Sequence, residues 1–290
     1  MESQIKLRQS TNHLKYLDVN IQYACNLSCV GCISLSDFDR KGGIRINEGV
    51  NWLRDWSKRL TIDTLCLFGG EPLLNPDFRS WVSAARHFFP DTHIKVITNG
   101  FYLKSDHVNI LSEIRNATLQ ISFHFRNRDK SLLKIIKDAT AHLRWNVTKT
   151  DEEIIFLKFI NENLNVQCAR FGEFRKPYKN SKNQMMPWNS TDLQGSINNC
   201  GSPRNPILYK NKLWKCAPIA NLRDTLNTLK SYDKKAWKPY LEYKGYGLED
   251  DIETFINDFG KANKICSMCC STNESEIDHF APGMVRNKKK

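Results

Sequence analysis

The sequence predicts an α/β fold, a curved and partly open barrel of six strand-and-helix units followed by a smaller module, and three observations carry this. Short runs of alternating apolar and polar residues are separated by stretches whose apolar residues recur at helical spacing. The early strands end in loops rich in cysteine, glycine or asparagine, where ligand sites form in such folds. From about Gly172 the periodicity gives way to a stretch broken by Pro177, Pro187, Pro203 and Pro206. Short strand-to-helix connections imply parallel strands with right-handed crossovers, and six units are too few to close an eight-fold barrel.

The first strand, Tyr16 to Ala24, sets Leu17, Val19 and Ile21 against Asp18, Asn20 and Gln22, and runs straight into Cys25, Cys29 and Cys32. Gly42-Gly43 breaks the chain, and Asn47 is placed to cap a helix to about Leu60 with Val50, Leu53, Trp56 and Leu60 on one face. Thr64 to Phe68 is the second strand, ending in Gly69-Gly70-Glu71-Pro72. A helix from about Asp77 to Phe89 then buries Phe78, Val82, Ala85 and Phe89. His93 to Thr98 is the third strand, Asp106 to Arg115 a helix, Thr118 to Phe125 the fourth strand and Lys130 to Leu143 a helix. Trp145 to Val147 reads as a fifth strand, Asp151 to Asn163 as a helix with Ile154, Ile155, Leu157 and Phe159 apolar, and Asn165 to Phe171 as the sixth strand.

These boundaries divide the chain into a barrel over residues 1–171 and a second module over 172–290. In the second, Ile207 to Lys210 and Leu213 to Lys215, joined by Asn211-Lys212, read as a hairpin with Asn at the turn. No long periodic helix is expected there before a short one near Asp250 to Phe259.

Composition narrows the class. No apolar run approaches the ~18 residues that cross a bilayer, and Met1 to Ser10 lacks the apolar core of a secretory signal. Ten cysteines without such a signal point to a reducing, cytoplasmic setting in which clustered thiols bind metal or react. The net charge of +12 favours anionic partners, yet basic residues are scattered. The one dense run, Arg286, Lys288, Lys289 and Lys290, reads as a frayed, solvated end.

Three thiols within eight residues suit iron or zinc, and no fourth Cys or His stands nearby in sequence to close a tetrahedral site. One metal position is therefore open. The cysteine loop, the Gly69-Gly70-Glu71 turn and Asn99 all fall on one rim of the barrel.

Cys25, Cys29 and Cys32 in CxxxCxxC spacing, followed by Gly69-Gly70-Glu71-Pro72, each after a strand and in this order, resemble the radical S-adenosylmethionine enzymes. The resemblance covers roughly Tyr16 to Phe171 and implies a partial (β/α)6 TIM-like barrel. It implies that the three thiolates hold a [4Fe-4S] cluster whose fourth iron takes the amino and carboxylate groups of S-adenosylmethionine, cleaved reductively to a 5'-deoxyadenosyl radical. Flavodoxin or ferredoxin is the kind of reducing partner it implies. On the same resemblance Glu71 receives the methionine ammonium, Gly69 and Gly70 allow close backbone approach, and Asn99 and Ser122 contact the ribose or the methionine carboxylate. The residue before the third cysteine is commonly aromatic in the family. Here it is Gly31, and Tyr23 is the candidate to cover the adenine instead.

Cys200, Cys216, Cys266 and Cys269 resemble the shortened auxiliary-cluster module called Twitch, a small α+β unit holding a second [4Fe-4S] cluster, with Cys270 competing with Cys269 for the last place. Asn211 stands where Gly is usual. A structural zinc would also satisfy these four thiols. Cys66 and Cys168 sit among apolar strand residues as core groups. His124 reads as a structural histidine, Arg126, Arg128 and Arg170 as rim residues open to a substrate acid or to solvent, and Trp188, Trp214 and Trp237 as packing anchors.

The expectation is an oxidoreductase that removes hydrogen from a polar small molecule, a sugar- or cyclitol-like alcohol, in a two-electron dehydrogenation with the second cluster as electron acceptor. A peptide-modifying or nucleotide- or nucleic-acid-modifying enzyme of the same family is the alternative, and a metal-stabilised binding protein the reading from another class.

Overall fold

A computed structural model describes residues 12–125, 128–143, 157–160, 163–170, 173–181, 184–201, 205–278, 280–281 and 283–288. The chain begins with β1 (His13–Gln22), the short β2 (Leu27–Cys29) inside the cysteine loop, α1 (Ile46–Ser57), β3 (Thr61–Gly69), α2 (Phe78–Phe88), β4 (His93–Thr98), α3 (Ser105–Glu113), β5 (Ala117–Phe123) and α4 (Asp129–Ala139). It continues with β6 (Leu157–Ile160), β7 (Leu164–Arg170), β8 (Glu173–Arg175), β9 (Lys179–Ser181), β10 (Gln184–Met186) and α5 (Leu193–Asn198). Then come β11 (Ile207–Tyr209), β12 (Lys212–Trp214), α6 (Ala217–Thr228), α7 (Lys234–Leu241), α8 (Ile252–Asp258), β13 (Glu276–Asp278) and β14 (Val285–Asn287).

The main sheet runs β12-β11-β1-β3-β4-β5-β7-β6. β11, β1, β3, β4, β5 and β7 are parallel, and the edge strands β12 and β6 are antiparallel to their neighbours. This is the α/β partial barrel expected. On its convex face Leu17, Val19, Ile21, Leu65, Leu67, Val96, Leu119, Ile121 and Val166 are all fully buried, and they join one core with Trp52, Leu53 and Trp56 of α1, Trp81 and Val82 of α2, Leu111 of α3 and Ile136 of α4. Each such side chain contributes about 1.5–3 kcal/mol on burial, which makes this layer the main source of the barrel's stability. Alternation therefore leaves Asp18, Asn20, Gln22, Lys95, Thr118, Gln120, Ser122, Asn165 and Gln167 on the concave face.

Several expectations shift. The sixth parallel strand is β11, which pairs with β1 from the far side of the sheet, so residues 207–214 of the second module extend the barrel's own sheet. Trp145 to Val147 lies outside the described residues, as does the start of the helix expected from Asp151. Its described part, Leu157–Ile160, is a strand antiparallel to β7. Ile155, Leu157 and Phe159 fit a period of two as well as a helical one, and the open edge of β7 supplies a ladder that decides between them. The hairpin turns at Lys210 and Asn211, both left-handed with φ of 50° and 56°, one residue earlier than expected.

Asn47 lies inside the first turn of α1. The Ile46 amide donates to Asp77 Oδ2 at 3.1 Å, so the cap comes from another loop. The long helix missing from the expectation is α6, whose Ala217, Ile219, Ala220, Asn221, Leu222 and Thr225 are all buried, polar positions included. A helix enclosed on several sides shows no apolar stripe.

The basic run departs furthest from expectation. β14 pairs antiparallel with β2 in the register Val285 to Cys29, Arg286 to Ser28 and Asn287 to Leu27, flanked by bonds from Val30 N to Met284 O at 2.9 Å and from Lys288 N to Asn26 O at 2.9 Å. Val285–Asn287 form a strand over the cysteine loop and Lys288 follows it, because β2 presents a free edge that an alternating segment satisfies, while Lys289 and Lys290 lie outside the described residues. No helix among the described residues is long and apolar enough to cross a membrane.

Candidate functional site

The rim at the C-terminal ends of the strands is built around Glu71. Its side chain is fully buried, with Oε1 accepting from the Leu73 amide at 3.0 Å and the Thr98 hydroxyl at 2.6 Å, and Oε2 accepting from the Asn99 amide at 2.8 Å. Oε1 is fully used and Oε2 retains room for one further donor. Burial pushes the carboxyl up to about 7, against which the three bonds act to lower it.

Gly69 and Gly70 let this turn lie against β1. Gly69 has φ of 149°, and a Cβ on it would stand 2.3 Å from Gln22 O. A Cβ on Gly70 would stand 2.3 Å from Ala24 O, while the Gly70 and Glu71 amides donate to Gln22 O and Ala24 O at 2.7 and 2.9 Å. Gly70→Ala is therefore expected to destabilise the fold by about 1–3 kcal/mol or more, since the clash is with backbone that cannot rotate away. Chemical denaturation reads this, and an unchanged midpoint would contradict the packing described.

Asn99 reaches the cysteine loop. Its Nδ2 donates to Asn26 Oδ1 at 2.7 Å and lies 3.7 Å from Cys25 Sγ, and its Oδ1 accepts from the Phe101 amide at 3.2 Å. Ser122 is buried on the same concave face at the end of β5. The rim thus brings together Cys25, Glu71 and Asn99, with Thr98 and Asn26 as partners that no sequence signal distinguished.

Cys29 is 8% exposed, Cys25 and Cys32 are partly buried, and His124 Nδ1 lies 4.0 Å from Cys29 Sγ. Burial raises all three thiols, Cys25 to about 12, and the groups raise one another further: Cys32 acts on Cys25 and Cys29, and Cys25 acts on Cys29. Such a set resists ionising by itself and suits a cationic iron cluster, which reverses that balance. Among the described residues no group of three or more His, Cys, Asp or Glu converges on a single ion. A cluster takes each thiolate on a different iron, so its ligands stand wider apart than those of one ion.

Gly31 has a structural reason. It is left-handed at φ of 84°, and a Cβ there would meet Ile277 Cδ1 at 3.1 Å and Arg175 O at 3.4 Å. The paired strands β8 and β13 occupy the space an aromatic side chain would need. Tyr23 carries the Arg40 guanidinium 4.7 Å over its ring and packs edge-on against Tyr209. Arg40, itself buried, donates to Asn221 Oδ1 at 2.5 Å and Tyr209 OH at 3.0 Å, and Asn20 Nδ2 donates to the same Asn221 oxygen at 2.9 Å. Helix α6 is tied into the barrel's concave face by this network.

Cys200, Cys216, Cys266 and Cys269 line one cavity, closed by Ser196 Oγ donating to Cys269 O at 3.1 Å and Asn199 Nδ2 donating to Ser271 O at 2.6 Å. Burial raises Cys216 to about 12, with Cys200 and Cys266 adding to the push. Cys270 borders the neighbouring cavity, its sulfur 3.2 Å from Thr272 Oγ1. That cavity, bordered by Ile33, Arg175, Lys176, Cys200, Cys216 and Cys269, lies between the second thiol set and the residue following Cys32.

Other candidates are accounted for by packing. Cys66 and Cys168 are fully buried. Arg170 pairs with Asp129 and lies over Phe280, and Arg128 bonds Asn287 Oδ1 at 3.0 Å. Arg126 lies outside the described residues. Trp237 is fully buried and donates to Met185 O at 3.0 Å, Trp188 donates to Lys176 O at 3.3 Å, and Trp214 donates to Tyr209 O at 3.0 Å.

On the concave face, Asp18 Oδ1, Asn20 Oδ1, Gln22 Oε1 and Asn165 Oδ1 are buried acceptors with no donor among the described residues. Asp18 is registered opposite Cys66, Cys66 opposite Lys95, Lys95 opposite Thr118 and Thr118 opposite Asn165, one polar layer across five strands.

Residues 19–150 match the family model of the Radical SAM superfamily. The chain is 32% identical over 98 residues to a GTP 3',8-cyclase of Nautilia profundicola, covering 31% of this chain and 29% of that protein. It is 26% identical over 156 residues to a probable GTP 3',8-cyclase of Methanocella arvoryzae, covering 51% and 49%. The chain thus spans half or less of the curated relatives it matches. Among solved structures, BtrN in an open conformation aligns over 92% of this chain and 96% of that one, at 12% identity and a TM-score of 0.47.

Proposed function

The chain carries a radical SAM domain in residues 19–150, and from that premise we propose that it is an enzyme oxidising a hydroxylated small molecule of sugar or cyclitol type. Cys25, Cys29 and Cys32 would hold the first cluster, and Cys200, Cys216, Cys266 and Cys269 the second. When bound, the first with S-adenosylmethionine supplies a hydrogen-abstracting radical and the second an electron acceptor. Glu71, through the open position on Oε2, would receive the ammonium of the methionine moiety. Gly69 and Gly70 would allow its close approach to the backbone, and Asn99 and Ser122 would contact the ribose or the methionine carboxylate.

The observation that carries the substrate class is the polar make-up of the concave face, where alternation sets Asp18, Asn20, Gln22, Thr118, Ser122 and Asn165 instead of apolar groups. A polar lining of this kind favours a hydroxyl-rich ligand over an apolar one. A nucleotide is the second reading. It is favoured by the names of the two relatives, by the charge of +12, and by Arg175 and Lys176 beside the cavity between the thiol sets.

The test is anaerobic reconstitution followed by turnover with S-adenosylmethionine, reductant and either polyols or GTP. The protein is expected to bind roughly eight irons and to yield a polyol lighter by a pair of hydrogens. Cys200→Ala with Cys216→Ala is expected to spare some S-adenosylmethionine cleavage while stopping that oxidation. A rearranged nucleotide product would favour the second reading, and full polyol oxidation without the second thiol pair would refute the acceptor role.

A further inference from the structure

The strand β14 brings one cation to the first cysteine loop. Lys288 is largely enclosed, with 15% of its side chain exposed; its ammonium donates to Ser36 O and lies 3.6 Å from Asp39 Oδ1. Its own amide is bonded to Asn26 O at 2.9 Å. The one residue thus touches the loop twice, between Cys25 and Cys29 through its backbone and after Cys32 through its side chain. The register of β14 with β2 leaves no freedom to slide it, since a one-residue slip would turn its side chain to the other face.

We propose that Lys288 is the positioning residue of the first cysteine loop, holding it closed at Ser36 and offsetting the negative charge that three ligating thiolates bring. This rests on the reading that Cys25, Cys29 and Cys32 hold a cluster. The charge agrees with the geometry: an ammonium held at Ser36 O and beside Asp39 Oδ1 offsets anionic groups carried by the same loop. A carboxylate-rich loop, with Asp37 and Asp39 behind the third cysteine, would otherwise add its charge to the thiolates. Partners beyond the ligands set both the retention and the potential of a metal centre, and removing one typically costs 10–100-fold in affinity.

The experiment compares the full chain with Lys288→Met, Lys288→Arg and Arg286→Pro, the last removing an amide from the β14–β2 ladder. Iron loss to a chelator is timed, and the midpoint potential is followed on the paramagnetic signal that changes when S-adenosylmethionine is added. Lys288→Met is expected to shift that midpoint to more negative values and to lose iron roughly 10-fold faster, with Lys288→Arg restoring both. Arg286→Pro is expected to speed iron loss likewise. If Lys288→Met keeps the parent's midpoint and iron retention, or loses only thermal stability, the assignment to Lys288 falls while the cluster reading stands. A parent protein that gains no such signal overturns the cluster reading and the assignment with it.

Discussion

Alanine at Cys25, Cys29 and Cys32 together is expected to abolish reductive cleavage of S-adenosylmethionine and to remove about half of the bound iron, leaving roughly four atoms at the second thiol set. The effect is all-or-none because no other thiol stands ready at the rim. Cys66 and Cys168 are sealed on their strands, and the remaining cysteines line the second site and its neighbouring cavity. The fold is expected to survive, since the convex core between the sheet and α1 to α4 contains none of the three. Iron analysis and 5'-deoxyadenosine assay read the outcome. Residual cleavage with an intact thermal transition would mean that another group holds the catalytic iron.

Glu71→Ala is expected to cost about 3–5 kcal/mol of stability and to eliminate S-adenosylmethionine binding, because it strands two backbone amides and the Thr98 hydroxyl in a buried site. Glu71→Gln is milder for folding, since one oxygen remains for Leu73 and Thr98 while the new amide opposes the Asn99 N–H. The pH dependence separates the two roles of the carboxylate. Burial raises Glu71 to about 7, so between its ordinary value near 4.5 and that point the folded state retains a proton that the unfolded chain has lost. Stability from this group is therefore complete below 4.5 and declines as pH rises through 7. Asp18, raised by burial to about 7, and Asp37, raised by burial to about 6, act in the same direction. Affinity for S-adenosylmethionine runs the other way, rising through pH ~7 as Glu71 becomes the carboxylate that an ammonium needs. Thermal denaturation and calorimetric titration from about pH 5 to about pH 8 test both slopes, and Glu71→Gln is expected to lessen the stability slope, which Asp18 and Asp37 share, and to flatten the binding slope. A binding curve that ignores pH in the parent would remove Glu71 from the ammonium site.

The sequence by itself determined the parts of this protein that are encoded within a few residues. The CxxxCxxC and Gly69-Gly70-Glu71-Pro72 stretches are contiguous, and their place after strands follows from alternation in Tyr16 to Gln22 and Thr64 to Phe68. Cys200, Cys216, Cys266 and Cys269 could be grouped before any coordinates, and they share a cavity. The helices with one apolar stripe were equally legible, α2 above all.

What tertiary structure alone decided are the outcomes that depend on a partner far along the chain. Residues 157–160 are a strand because β7 has a free edge; α6 is hidden by being buried on several sides; β11 completes the parallel sheet by docking on β1, almost two hundred residues earlier. Gly31 looked like a departure until Ile277 and Arg175 filled the space beside it. Lys288 read as solvated because a run of basic residues carries no mark of the strand it meets. An edge of backbone amides and carbonyls pairs with any segment of the right register, and local sequence does not encode which distant segment arrives there.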